Sequence, residues 1–324
     1  LPLQNTLRTG LIVREMSGFF WVETEDGKET RCRLRGRLLE QAQSSDVAAI
    51  GDHVTFSPIE QDESGDLGLI EAVDERERVF SRAVRTVGSR GAGEATYQRV
   101  IIVNPDSVYV VTSASQPAPD LPLIDRILVA AEQAEIDDIV LVVNKTDLAS
   151  SPDEPHKIFD RYEAMGYTVM YTSAANHVGV ESIRERLNGR VSVFTGASGV
   201  GKSSLLNQIK PGLGRTTKNT SNWNDEGVHA TRDSLMVKLG EATYLADTPG
   251  MRNFMPYDIE PEELDSYFRD LRAYVGRCRF RDCSHREEPG CTVNQAIKTG
   301  KLSRARLRSY QALRAELEAL LEVY

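Results

Sequence analysis

Residues Gly196-Ala197-Ser198-Gly199-Val200-Gly201-Lys202-Ser203 fit the pattern G-x-x-x-x-G-K-[ST], and Ser204 follows them. An apolar stretch, VSVFTGA, precedes the pattern and a helical one, SSLLNQI, follows it, which is the context a phosphate loop needs. Glycines let backbone N–H groups turn inward around phosphate oxygens, and the helix N-terminus adds positive potential. Lys202 would neutralise the β- and γ-phosphates, and the Ser203 hydroxyl would ligate magnesium. This loop alone chooses neither between ATP and GTP nor between kinase and hydrolase.

Three further motifs make that choice. Asn144-Lys145-Thr146-Asp147, of the form N-K-x-D, ends the apolar stretch VLVVNKTD. A carboxylate at Asp147 can accept hydrogen bonds from guanine N1–H and the 2-amino group. Adenine offers neither donor, so the carboxylate would be left unpaired. The Lys145 stem packs on the base plane, and Asn144 ties this loop to the phosphate loop. Thr172-Ser173-Ala174 ends the next strand, where the Ala174 N–H can reach guanine O6. Asp247-Thr248-Pro249-Gly250, of the form D-x-x-G, offers Asp247 to magnesium through water and the Gly250 amide to the γ-phosphate. The set predicts GTP and GDP as ligands. A kinase would have no use for N-K-x-D.

The motifs occur as N-K-x-D, phosphate loop, D-x-x-G, whereas most GTPases begin with the phosphate loop. The responsive segment 210–256 therefore leads straight into the C-terminal part of the chain. Within it the stretch PGLGRTTKNTSNWNDEGVHATRD, 211–233, is polar and rich in Gly and Thr. Thr231, in His229-Ala230-Thr231-Arg232, is the preferred threonine for completing the magnesium shell, with Thr216, Thr217 and Thr220 as rivals. Met251 follows the D-x-x-G glycine, where many GTPases place a water-orienting Gln, so hydrolysis is expected to need another group or a partner. His229 is a candidate for placing the water, against the alternative of a solvated loop histidine. Arg232 either stabilises transition-state charge or anchors RNA. Lys202, Thr231 and His229 form the expected catalytic set.

Cys278, Cys283, His285 and Cys291 lie within fourteen residues, in the order C-x4-C-x-H-x5-C. Three thiolates and an imidazole suit one tetrahedral structural zinc with no open position for catalysis. Cys32 stands apart, and nothing resembles a disulfide framework. Arg279, Arg281 and Arg286 surround the ligands, as in a phosphate-contacting knuckle.

The elements that would position these groups fall into three parts: 1–90, 91–258 and 259–324. The first reads as four or five short strands with a turn at Asp26-Gly27, which suggests a small barrel, most simply an OB-fold. Arg31, Arg33, Arg35 and Arg37 alternate, placing a basic face on a strand suited to RNA, against the alternative of a barrel that only braces its neighbour. GAGEATYQ, 91–98, reads as a flexible connector. Apolar strands then alternate with helices, which predicts a parallel sheet covered on both faces. The last part opens with an expected helix, PEELDSYFRDLRAY, and closes on a long one, SRARLRSYQALRAELEALLEVY.

Bulk properties narrow the classes. The chain has 324 residues, 40% of them hydrophobic, and no apolar run long enough to span a membrane. The formal charge of −9 argues against wholesale coating of nucleic acid, but three basic islands leave room for a polyanion on one face. The first residues, LPLQNTLRTG, lack the pattern of a secretory signal, so a cytoplasmic protein is expected. There is no initiator Met, which leaves room for residues upstream.

RCRLRGRL, IGDHVTF, NKTD, TSA, GASGVGKSS, DTPG and the Cys-Cys-His-Cys knuckle together resemble the circularly permuted, small-ribosomal-subunit-dependent GTPases of the RsgA (YjeQ/YloQ) family. HATR departs from the HTTR usual there, leaving Thr231 matched and the role of position 230 open. The resemblance implies a multidomain α/β protein with an N-terminal OB-fold barrel, a central circularly permuted P-loop GTPase domain and a C-terminal zinc-binding helical module. It implies a monomeric late assembly factor of the small (30S) subunit that touches 16S rRNA through barrel and zinc module. Ribosome-stimulated GTP hydrolysis would promote its release. The competing reading is a GTP-regulated RNA-binding translation or signalling factor not dedicated to subunit maturation.

Overall fold

The computed structural model describes residues 7–39, 44–62, 65–86, 95–213, 234–248, 251 and 253–321. The first strands are β1 (Arg8–Met16), β2 (Phe19–Glu23), β3 (Glu29–Leu34), β4 (His53–Asp62) and β5 (Gly65–Val73). They pair in the order β1-β2-β3-β5-β4, and β4 returns to β1 to close a barrel. Alternation puts Ile12, Val22, Cys32, Phe56 and Ile70 inside, all fully buried. The arginine alternation occupies the strand only at Arg31 and Arg33. β3 ends at Leu34; Arg35 lies just beyond it and Arg37 in a short helix, α1 (Gly36–Leu39), and both engage Glu71.

A hairpin of β6 (Val79–Thr86) and β7 (Ala95–Val103) follows. The described part of the expected connector, 95–98, is therefore strand. Its polar residues are paired across the hairpin, as where Gln98 donates to Ser81 Oγ at 3.1 Å.

The second sheet contains β8 (Ser107–Ser113), β9 (Asp138–Asn144), β10 (Thr168–Tyr171), β11 (Val191–Gly196), β12 (Ser234–Gly240) and β13 (Thr243–Asp247). The order is β10-β9-β8-β11-β13-β12. All neighbours are parallel except β12, which runs antiparallel to β13. Helix α2 (Leu121–Gln133) and α3 (Asp153–Ala164) cover one face, where Ile127, Leu128 and Phe159 meet Val108 and Val110. Helix α4 (Val180–Leu187) and α5 (Lys202–Ile209) cover the other, where Ile183 and Leu205 meet Tyr109 and Phe194. The outer edge of β12 pairs with barrel strand β1 at Arg14↔Leu235, so barrel and second sheet are one continuous eleven-stranded sheet. Glu23 reinforces the seam by holding Lys238 and accepting from Tyr244 OH at 3.3 Å.

The C-terminal module does not open with one long helix. A 3-10 turn, Leu264–Tyr267, and a short helix, Arg269–Arg272, are separated at Phe268, which has extended backbone. The break drops the fully buried Phe268 ring edge-on against Tyr310 at 5.5 Å. Tyr310, Leu313 and Leu317 come from the final helix, Arg304–Leu321, and close the module's core. Its link to the second sheet is ionic as well as apolar: Arg306, 3% exposed, is held between Asp125 of α2 and Asp270.

Candidate active site and metal centre

β8, β9, β10, β11 and β13 run in one direction, so their C-terminal ends share one rim of the sheet, where ligands bind in such folds. The phosphate loop leaves β11, N-K-x-D leaves β9, Ser173 and Ala174 follow β10, and Asp247 ends β13. Register places them side by side: Gly196 pairs with Val111, Ser113 with Asn144, Val143 with Tyr171, and Phe194 with Asp247.

Two glycines admit no side chain. A Cβ on Gly196 would lie 2.1 Å from the Val111 carbonyl oxygen, and one on Gly201 would lie 2.3 Å from Asn144 Nδ2. Both also have positive φ, at 140° and 96°. Between them lie Ala197, Ser198, Gly199 and Val200, and α5 begins at Lys202 with Ser203 and Ser204 in its first turn. The buried Lys202 ammonium donates to the carbonyls of Gly196 and Ala197, each at 2.9 Å. Burial pushes its pKa below the ordinary lysine value, and Asp247 offsets part of that. An anion in the loop would favour the charged form further.

Asn144 is the hub of the rim. Its Nδ2 donates to the Val200 carbonyl at 3.0 Å, while its Oδ1 accepts from Thr172 Oγ1 and the Ala174 N–H, each at 3.2 Å. Lys145, in a left-handed conformation, sends its ammonium to the carbonyls of Gly199 at 2.7 Å and Gln116 at 2.8 Å. Ser173 Oγ donates to Asp147 Oδ1 and itself accepts from the Asn176 N–H at 3.1 Å. This fixes one edge of the carboxylate. Met251 donates its N–H to the Gly196 carbonyl at 3.1 Å, and its sulfur lies 4.0 Å from Thr195 Oγ1. A thioether held there cannot orient water. Gly250, Thr216, Thr217, Thr220, His229, Thr231 and Arg232 lie outside the described residues.

In the C-terminal module, Cys278, Cys283, His285 and Cys291 bring their donor atoms within 4.8 Å of one another, a set that could hold a metal ion. His285 Nδ1 is 3.7 Å from Cys278 Sγ and 3.4 Å from Cys291 Sγ. Backbone N–H groups of Thr292 and Asn294 point at Cys278 and Cys291 sulfur, each at 3.4 Å. Burial pushes the Cys283 thiol up to about 12. Burial also opposes the Cys278 thiolate, but hydrogen bonds from Thr292 outweigh it and bring that thiol down to about 7. Three sulfurs this close cannot all ionise without a cation, and a cation would reverse the balance. Sequence spacing gave no sign of Asp265. Its Oδ2 lies 3.0 Å from His285 Nε2 and turns Nδ1 toward the sulfurs, as carboxylates behind metal-bound histidines do.

Comparison with known proteins agrees with this geometry. The family model described as RsgA GTPase matches residues 73–256, and that of the RsgA N-terminal domain matches 9–66. A small ribosomal subunit biogenesis GTPase RsgA from Gemmatimonas aurantiaca is 36% identical over 96% of this chain and 98% of its own. The protein of that name from Chlorobaculum tepidum is 35% identical over 94% and 96%. Among solved structures, YjeQ from Thermotoga maritima superposes with a TM-score of 0.70 at 32% identity, covering 96% of this chain and 98% of its own. YloQ, a circularly permuted GTPase, superposes at 0.69 with 29% identity, covering 98% of each. With its rim motifs in permuted order and matches along nearly its full length, this chain belongs to the RsgA GTPase family and is a GTP-hydrolysing enzyme.

Proposed function

We propose that this GTPase acts in late maturation of the small ribosomal subunit, that the subunit stimulates its GTP hydrolysis, and that hydrolysis promotes its release. The observation that carries this reading is the continuous sheet. β12, which follows the polar stretch 211–233, bonds to β13 of the nucleotide rim on one side and to β1 of the barrel on the other. The barrel's outer surface beside that seam suits RNA: the Arg14 guanidinium lies 4.4 Å from the Trp21 ring centre, and that of Arg33 lies 4.3 Å from Phe19. A rearrangement at the γ-phosphate thus has a short hydrogen-bonded route to a surface that can hold 16S rRNA.

In this reading Asp147 selects guanine, Asn144, Lys145, Ser173 and Ala174 shape the base pocket, and residues 196–204 cradle the phosphates. Ser203 and Thr231 would hold magnesium, with Asp247 reaching it through water; its charge would offset that of the β- and γ-phosphates, and Gly250 would sense the γ-phosphate. His229 places the attacking water in the subunit-bound state, since Met251 cannot. The Cys278, Cys283, His285 and Cys291 site holds zinc as a structural ion, stiffening a basic knuckle in which Arg279 stacks on the exposed Phe280. The barrel over 1–90, the GTPase domain over 91–258 and the zinc module over 259–324 work together as a cytoplasmic monomer.

Co-sedimentation tests the reading. The protein should pellet with purified small subunits in the presence of a non-hydrolysable GTP analogue, and less with GDP. Equal pelleting with large subunits, or none with small ones, would favour a GTP-regulated RNA-binding factor with another role.

A further inference from the structure

We infer that the protein carries a second binding site, a cavity at the junction of its modules that takes a nucleotide-sized phosphate ester. The cavity has a volume of about 580 Å3, in the range of about 300–1,000 Å3 common for small-ligand pockets. Its walls come from β6, the start of α2, the segment 253–255 just past D-x-x-G, and the final helix at Glu316. No residue of the phosphate loop or N-K-x-D lines it, so it is distinct from the GTP site.

Its wall carries two guanidinium groups, Arg82 and Arg126, and two carboxylates, Asp120 and Glu316, and of the four only Arg82 lacks a partner among the described residues. Asp120 caps α2, its Oδ1 accepting from the Leu123 N–H at 3.0 Å. Glu316 is gripped by both terminal nitrogens of Arg126. Arg82 is left over, and among the described residues no acceptor pairs with it. Directly across the hairpin stands Arg99, like charge facing like, an arrangement that destabilises a strand pair. Arg99 turns to Asp46, with an N···O distance of 3.5 Å, but among the described residues Arg82 has no such counterpart. Burial, with Arg99 beside it, holds the Arg82 pKa below the ordinary arginine value.

A half-buried guanidinium facing a like charge is costly unless an anion answers it. Its planar fork of donors matches phosphate oxygens. Leu123 and Phe254 give the cavity an apolar side for a flat body, and Asn253 gives it a polar edge. A nucleoside monophosphate has this combination, either free or as one unit of an RNA strand. The occupant would lie against Met255, whose carbonyl accepts from the Ala83 N–H at 2.8 Å, and so against the chain leaving the γ-phosphate sensor.

The test uses the full-length protein saturated with GDP and magnesium, so that a probe cannot enter through the phosphate loop. Uridine 5′-monophosphate is titrated calorimetrically into wild type, Arg82→Gln and Arg82→Lys, and a uridine hexanucleotide is titrated in parallel. At least one probe should bind wild type saturably and lose about tenfold or more in affinity with Arg82→Gln. Arg82→Lys should recover part of the loss. Thermal melting should show Arg82→Gln as stable as wild type, because it removes a repulsion. If the hexanucleotide binds with an Arg82 dependence that the monophosphate lacks, the occupant is an RNA strand; the converse result makes it a free nucleotide. Binding of both probes unchanged by Arg82→Gln, or no saturable binding of either to wild type, overturns the assignment.

Discussion

Replacing Asp265 with Asn should loosen the metal site although Asp265 is not one of its four donors. The buried His285 ring presents Nδ1 to Cys278 and Cys291 only while Nε2–H is held, and Asp265 Oδ2 holds it at 3.0 Å. Asparagine keeps the shape but removes the charge that makes the imidazole a better ligand. It also lets an N–H face an N–H if the amide turns. Loss of such an outer partner costs about 10–100-fold in metal affinity, which is about 1.4–2.7 kcal/mol. The assay is zinc competition against a chromophoric chelator, with thiols kept reduced. Asp265→Ala should fall at the upper end, because it strands the ring N–H in a buried site. If Asp265→Asn holds zinc as tightly as wild type, His285 is not oriented by this carboxylate and the reasoning fails.

The same site should show a defined pH dependence. Burial holds Cys283 and Cys291 protonated near neutrality, while Cys278 titrates at about 7. Binding must therefore displace about two protons above pH 7 and approach three below it. Zinc affinity should rise with pH at that slope, and a flat profile in the chelator assay would contradict it. At the nucleotide rim, Asp147→Asn removes the acceptor expected for the guanine N1–H and 2-amino group. GTP affinity should fall by more than about tenfold, with a relative gain for xanthosine nucleotides, which offer an oxygen to the new amide; fluorescent-nucleotide competition reads both. Arg306→Met leaves Asp125 and Asp270 buried without their cation. It should cost about 3–5 kcal/mol of stability by denaturant titration, and a loss below about 1 kcal/mol would show that the pair is not an anchor.

Much of this architecture was legible because its signals are local. A glycine that admits no Cβ, such as Gly201 beside Asn144, is demanded by the chemistry of the loop it serves, so the motif and the geometry are the same fact. Apolar runs with a period of two or none marked the strands. The features that escaped depend on distant parts of the chain. Asp265 lies twenty residues before its histidine, with no spacing rule to point there. The pairing of β12 with β1 joins Leu235 to Arg14, and neither strand's pattern names its partner. The break at Phe268 interrupts a good helical pattern because burying that ring against Tyr310 outweighs a few residues of helix propensity. The strand over 95–98 looked like a connector because its polar residues are satisfied across a hairpin rather than by solvent.

The seam between the nucleotide rim and the barrel should make hydrolysis answer to the small subunit. Steady-state GTP turnover, with and without purified small subunits, tests it most directly when wild type is compared with Glu23→Ala, which loosens the seam by freeing Lys238 and Tyr244. Wild type alone should turn over slowly and be strongly stimulated by small subunits but not by large subunits. Glu23→Ala should keep the slow basal rate while losing much of the stimulation. Wild-type turnover indifferent to small subunits, or stimulation undiminished in Glu23→Ala, would contradict it.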